Sequence, residues 1–133
     1  MNSYKKLFFT ILFLSITSLG IAQKNTNSVI KDIDPYKLNT ILNNQDVQLL
    51  DVRTPNEFKS GHIKGSVNIN YYDQDFSKQV LSLDKNKPVY VYCRSGVRSK
   101  YSSEILKKLG FKTIYNLRGG ILNWSANKLP LKK

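Results

Sequence analysis

The chain has 133 residues, enough for one domain and too few for two. Its 21 Lys and Arg against 9 Asp and Glu give a net charge of +12, a balance that favours anionic ligands or surfaces. One cysteine excludes an intramolecular disulfide, so the fold has to rest on a packed core.

The first residues differ from the rest. Lys5 and Lys6 follow a polar start, residues 7–16 are apolar, and Ser18, Gly20 and Ala22 are small. Gly20 and Ala22 stand three and one residues before a cleavage point ahead of Gln23. This layout predicts a secretory signal peptide over residues 1–22. Residues 7–22 number 16 and include Thr and Ser, short of the ~20 a spanning helix needs, so no stable membrane insertion is expected after cleavage. Residues 23–29 are expected to be a disordered lead-in and residues 30–130 the domain. Removal of the signal leaves 111 residues with 19 basic and 9 acidic side chains. That is enough to bury a core without staples. Export, expected to the periplasm, argues against nucleic acid as a partner, and the scattered Lys residues fit a solvated basic surface.

Strand and helix signals then alternate. Asp34-Pro35 reads as a helix cap with Pro at the first helical position, followed by Leu38, Ile41 and Leu42 at helical spacing and a stop at Asn43-Asn44. Residues 47–52 form a short apolar run, a buried strand. Thr54-Pro55-Asn56-Glu57 is a capping box that starts a short helix, which Gly61 stops. Residues 67–69 suggest a brief strand, and residues 76–83 a helix carrying Val80, Leu81 and Leu83. Residues 88–92 (PVYVY) are the strongest strand, apolar or aromatic on both faces as in the middle of a parallel sheet. After a polar loop, Tyr101, Ile105, Leu106 and Leu109 mark a helix face closed by Gly110. Residues 113–117 form a further strand, and Gly119-Gly120 turn into a last short helix with Trp124. This alternation predicts an α/β fold with a central, mostly parallel sheet of about five strands and helices on both faces.

Ligands in such sheets sit beyond the C-terminal strand ends. The PVYVY strand ends at Cys93, followed by Arg94, Ser95, Gly96, Val97, Arg98 and Ser99. A tight loop running into a helix N-terminus converges backbone amides on the space above the cysteine sulfur, and such nests bind anions. The amides, helix dipole and two arginines would lower the Cys93 pKa below the ~8.5 of a free thiol. Cys93 is therefore the candidate nucleophile and residues 94–99 its anion-binding loop.

With this loop the chain resembles the rhodanese domains. Asp51-Val52-Arg53 is similar to their D-V-R motif, and Glu57-Phe58 to the E-Y/F pair that follows. Gly61-His62-Ile63 with Gly65 and Asn68 is similar to G-H-I-x-G-A-x-N, residues 93–99 to C-R-S-G-x-R-S, and Leu117, Gly119, Gly120 and Trp124 to L-x-G-G-x-x-x-W. Five motifs in order cover roughly residues 30–128. Lys64, Ser66 and Asn70 depart from the family's Pro, Ala and Pro, away from the loop. The resemblance implies that the Cys93 thiolate takes the outer sulfur of thiosulfate or a similar small anionic donor, releases sulfite, and passes the sulfur to cyanide or a thiol, a protein thiol included. Residues 94–99 would hold the persulfide, and Arg98 with Arg94 the sulfonate. No metal or cofactor is required. His62, the single histidine, reads as a structural residue of its turn before a catalytic partner, and Asp51 with Arg53 as an internal ion pair ordering loops near the site.

Related cysteine phosphatases and arsenate reductases place five residues between Cys and Arg. Here four intervene, a smaller cradle suited to one sulfur atom beside the cysteine. A non-catalytic binding module is the other alternative, although inactive members usually lose the cysteine. A disulfide relay would call for a second, resolving cysteine.

Overall fold

The computed structural model describes residues 27–133. The predicted signal peptide and residues 23–26 of the lead-in lie outside the described residues. Among the described residues no helix is long and apolar enough to cross a membrane.

Five parallel strands form one sheet in the order β1-β5-β4-β2-β3. They are β1 (Val29–Ile33), β2 (Gln48–Asp51), β3 (Val67–Asn68), β4 (Val89–Tyr92) and β5 (Thr113–Leu117). The helices are α1 (Pro35–Asn44), α2 (Pro55–Ser60), α3 (Phe76–Gln79), α4 (Val97–Lys108) and α5 (Gly120–Ala126). The α/β fold read from the sequence is the one observed.

β4 explains the two-layered core. Its four residues are all buried. Val89 and Val91, with Cys93 beyond them, join Leu50, Phe76, Val80, Leu106 and Phe111 on one face. Tyr90 and Tyr92 join Leu38, Leu49, Ile63, Ile121 and Trp124 on the other. The period-two alternation of a strand thus hands one set of side chains to α3 and α4 and the other to α1 and α5. Trp124, 1% exposed, packs against the second set while its indole N–H donates to the Pro130 carbonyl at 3.0 Å. Truncating a side chain of this kind to Ala costs about 3–5 kcal/mol.

Local signals set the helix starts. Asp34 Oδ1 accepts from the amides of Tyr36 and Lys37 at the head of α1, and Thr54 with Glu57 forms the capping box of α2. Three elements differ from expectation. β1 carried no clear strand signal, because only Ile33 of its five residues is buried; it is an edge strand, held by its ladder to β5. Val29, counted with the lead-in, opens it. The helix expected over residues 76–83 divides into α3 and a 3-10 turn, Val80–Ser82. The tighter three-residue turn stacks Val80 and Leu83 on the core side. In α4 the inward face is Ser99, Ser102, Ser103 and Leu106, whereas Tyr101 is 57% exposed. The serines are small enough for close approach to the sheet. Those at 102 and 103 return their hydroxyls to the carbonyls of Arg98 and Ser99.

Candidate active site

The C-terminal ends of β2, β4 and β5 lie side by side, since all three strands run parallel. They bring residues 51–53, residues 93–99 and residues 118–120 to one edge of the sheet, where open α/β folds bind ligands.

Cys93 sits at the end of β4 and is only 1% exposed. Gly96, at φ +102° in the left-handed region, turns the chain back toward the sulfur and caps α4. Its amide donates to Cys93 Sγ at 3.1 Å, and the Ser99 hydroxyl lies 3.4 Å from the same atom. Burial by itself pushes the thiol pKa up. The Ser99 hydroxyl and the amides of Ser99, Gly96 and Ser95 outweigh it and hold Cys93 below its ordinary range. The twelve-residue α4 adds the positive end of its dipole.

The loop is held from below by α5. The Ile121 amide donates to the Cys93 carbonyl at 2.9 Å and the Leu122 amide to the Arg94 carbonyl at 3.1 Å. Both carbonyls are thereby engaged by α5, while the sulfur meets the Gly96 amide and the Ser99 hydroxyl. So close a contact requires glycine at 120: a Cβ there would lie 2.4 Å from the Arg94 oxygen. Gly120 is thus part of the site, although it contributes no side chain.

Arg98 is committed to a partner within the chain. Its guanidinium grips Glu57 through two hydrogen bonds of 2.9 Å and lies 5.6 Å from the centre of the Tyr72 ring. The same Glu57 closes the α2 capping box. Hydrogen bonding to Arg98, against the opposing effect of burial, holds the Glu57 carboxyl at about 2. Glu57 in turn raises the Arg98 pKa. An anion in the cradle would therefore have to share Arg98 with Glu57. Among the described residues, Arg94 has no ion-pair partner, and it, Ser95 and Val97 are exposed. In the sequence Glu57 reads as a capping and motif residue only, and Tyr72, in an exposed loop, carries no signal.

Asp51 and Arg53 form the internal ion pair expected of them. Arg53 Nη2 meets Asp51 Oδ2 at 2.7 Å and the Gly61 carbonyl at 2.7 Å, and its guanidinium lies over the Tyr92 ring. Tyr92 faces the layer opposite Cys93, so the pair ties the β2–α2 turn to the end of α2 and does not approach the sulfur. Asn68 closes the same turn, donating to the carbonyls of Asp51 and Arg53. His62 stacks on Phe58 at 3.8 Å between ring centroids, and its Nδ1 lies 3.0 Å from the Phe58 carbonyl. Its backbone pairs with Lys132 through bonds of 2.9 and 2.8 Å. These contacts hold the turn that follows α2 against the C-terminal tail.

A groove of about 830 Å³ lies elsewhere, between the end of α1, the turn at residues 63–65 and the C-terminal tail. Neither cysteine nor histidine lines it. Cys93 is the chemically distinctive group: a cysteine whose pKa is lowered within an amide cradle has the means to attack a soft electrophile and to hold a negative sulfur.

Comparison with known proteins agrees with this geometry. The family model described as "Rhodanese-like domain" matches residues 34–127. The chain is 37% identical over 113 residues to the tRNA uridine(34) hydroxylase of Pelagibacter ubique, covering 84% of this chain and 38% of that protein. It therefore spans well under half the length of that relative. It is 36% identical over 121 residues to a Schizosaccharomyces pombe protein named "Putative thiosulfate sulfurtransferase, mitochondrial", covering 75% of this chain and 83% of the other. Among solved structures, the rhodanese-like domain protein of Staphylococcus aureus superposes with a TM-score of 0.66 at 32% identity, covering 77% of this chain and 99% of that one. The rhodanese-related protein of Thermoplasma volcanium gives 0.68 at 28% identity, over 77% and 97%.

Proposed function

The chain belongs to the rhodanese-like domain family, and from that premise we propose that it is a sulfurtransferase working through a Cys93 persulfide, with thiosulfate or a similar sulfane-sulfur compound as donor. The observation that carries the reading is the cradle: Gly96 N–H and Ser99 Oγ on a cysteine sulfur whose pKa is lowered despite burial. The Cys93 thiolate attacks the outer sulfur of thiosulfate. The bond from that sulfur to the sulfonate sulfur breaks, and sulfite leaves with the electron pair. The amides of residues 95, 96 and 99 then stabilise the charged outer sulfur of the persulfide. Cyanide or a thiolate takes that sulfur and regenerates the thiolate. Arg94, exposed on the loop and without an ion-pair partner among the described residues, is the available counter-charge for the donor's sulfonate, and Arg98 joins it by loosening its hold on Glu57. We place this activity outside the cytoplasm, on the strength of the signal-like residues 1–22.

The test is a thiosulfate:cyanide assay on the purified protein with Cys93→Ser beside it, together with intact mass after thiosulfate treatment. Thiocyanate production and a gain of one sulfur atom, both absent from the variant, are expected. Folded, reduced protein that neither turns over nor gains sulfur would overturn the proposal. The similarity to tRNA uridine(34) hydroxylases favours a second reading, action on a tRNA uridine. Mass analysis of tRNA nucleosides after incubation with the protein tests it, and an unmodified uridine would exclude it.

A further inference from the structure

The surface around Cys93 has a character of its own. The three most exposed large apolar or aromatic side chains among the described residues are Tyr72 at 64%, Val97 at 58% and Tyr101 at 57%. All three border the cradle. Tyr72 lies against Arg98, Val97 directly follows Gly96, and Tyr101 stands one helical turn beyond Val97. Leu122, 45% exposed, is fixed there by its amide bond to the Arg94 carbonyl. Exposed cations interleave with them. Arg94 is in the loop. Lys100 donates its amide to the Gly96 carbonyl. Arg118 sits between Leu117 and Gly119, both of which approach Gly96. None of the three has an ion-pair partner among the described residues. The acids nearby are Glu57, held by Arg98; Asp73 and Asp75, both bound by the Gln79 amide; and Glu104, exposed on α4 one turn beyond Lys100.

Resting on the sulfurtransferase reading, we propose that this rim docks a protein acceptor that presents a cysteine on a protruding segment flanked by acidic and apolar residues. Burial of Cys93 requires the segment: a thiol on a flat surface does not reach a cysteine that is 1% exposed. A persulfide moves the transferable atom outward by one S–S bond, ~2.05 Å. Three unpaired cations select a negative partner, and exposed Val, Leu and Tyr supply the apolar contacts of an interface centre. The aliphatic share favours protein over nucleic acid. In the transfer, the acceptor thiol gives its proton to the charged outer sulfur of the Cys93 persulfide, and the resulting thiolate attacks that sulfur. The new acceptor S–S bond forms, the bond to Cys93 Sγ breaks, and Cys93 leaves as the thiolate its amides already stabilise. The acceptor departs as the persulfide, carrying the proton.

The experiment compares two cysteine peptides, one with Asp and Leu flanking the cysteine and one with Lys in place of Asp. Sulfur transfer from thiosulfate-loaded protein is followed by mass. In parallel, fluorescence anisotropy measures binding of the same peptides carrying Ser for Cys. The acidic peptide should react and bind about tenfold better at low salt, with the preference shrinking as salt rises. The variant Lys100→Ser should lose part of that preference while cyanide turnover stays at wild-type level. Equal treatment of the two peptides overturns the docking assignment, as does tRNA displacing the acidic peptide at lower concentration than unlabelled peptide does. Absent thiocyanate production would instead defeat the sulfurtransferase reading, and the anisotropy arm would still decide whether the surface selects acidic segments.

Discussion

Replacing Gly120 with Ala should damage the site although residue 120 offers it no functional group. The new Cβ would lie 2.4 Å from the Arg94 carbonyl oxygen and 2.6 Å from that of Cys93. Backbone atoms cannot swing aside as a flexible side chain does, so α5 must retreat. Retreat breaks the hydrogen bonds from Ile121 and Leu122 to those carbonyls, at about 1 kcal/mol each. The φ of +61° adds left-handed strain of about 1–2 kcal/mol for a residue with a Cβ. The total, about 3–4 kcal/mol, is a large fraction of the 5–15 kcal/mol typical of a domain. Urea unfolding should show the midpoint falling by more than about 1 M. Iodoacetamide alkylation of Cys93 across pH reads the cradle itself. Once the Cys93 and Arg94 carbonyls are released the amides lose their aim, and the inflection should move to higher pH. Gly119→Ala is the control. Its Cβ meets the Asn123 side chain at 2.7 Å, not the loop carbonyls, so strain should lower stability with a smaller change in the alkylation profile. A Gly120→Ala protein with wild-type midpoint and wild-type alkylation profile would refute the idea that α5 shapes the cradle.

Ser99→Ala removes the hydroxyl 3.4 Å from the sulfur; a loss of about 1 kcal/mol from the thiolate should slow alkylation near neutral pH about fivefold, with little change in the unfolding midpoint. Glu57→Gln should destabilise by about 1–2 kcal/mol at pH 6, because Arg98 loses a two-bond carboxylate partner that is only partly screened by solvent. The folded-state pKa of Glu57 is depressed, so its contribution is present above about 4.5 and is lost as pH falls toward about 2. The wild-type and variant midpoints should therefore converge over that interval. His62→Ala should cost about 1 kcal/mol, from the Phe58 stack, and leave thiocyanate turnover within about twofold. A turnover loss well beyond that would make His62 a participant in the reaction.

Much of the site was legible in the sequence because its parts are local. Cys93, Gly96 and Ser99 are neighbours in the chain, and a strand, a glycine turn and a helix start suffice to aim amides at a sulfur between them. The β4 alternation, the Asp34 cap and the Thr54–Glu57 capping box are likewise short-range, and each has its expected structural role. The alternation of strand and helix signals predicts the fold class, and the five ordered motifs imply the same one. Tertiary structure decided what depends on distant partners. The edge strand β1 is defined by its ladder to β5, eighty-four positions away at Val29↔Thr113, and not by its own weakly apolar residues. Proximity to the sheet turned α4 so that serines face inward and Tyr101 faces water. Arg98, free in the sequence to hold a substrate anion, is claimed by Glu57 forty-one positions earlier. The glycine at 120 acquires its role only when α5 folds back onto the Cys93 carbonyl. A hydrogen bond or ion pair is short-ranged in space and indifferent to sequence separation, so such partners become visible only once the sheet has set its strands side by side.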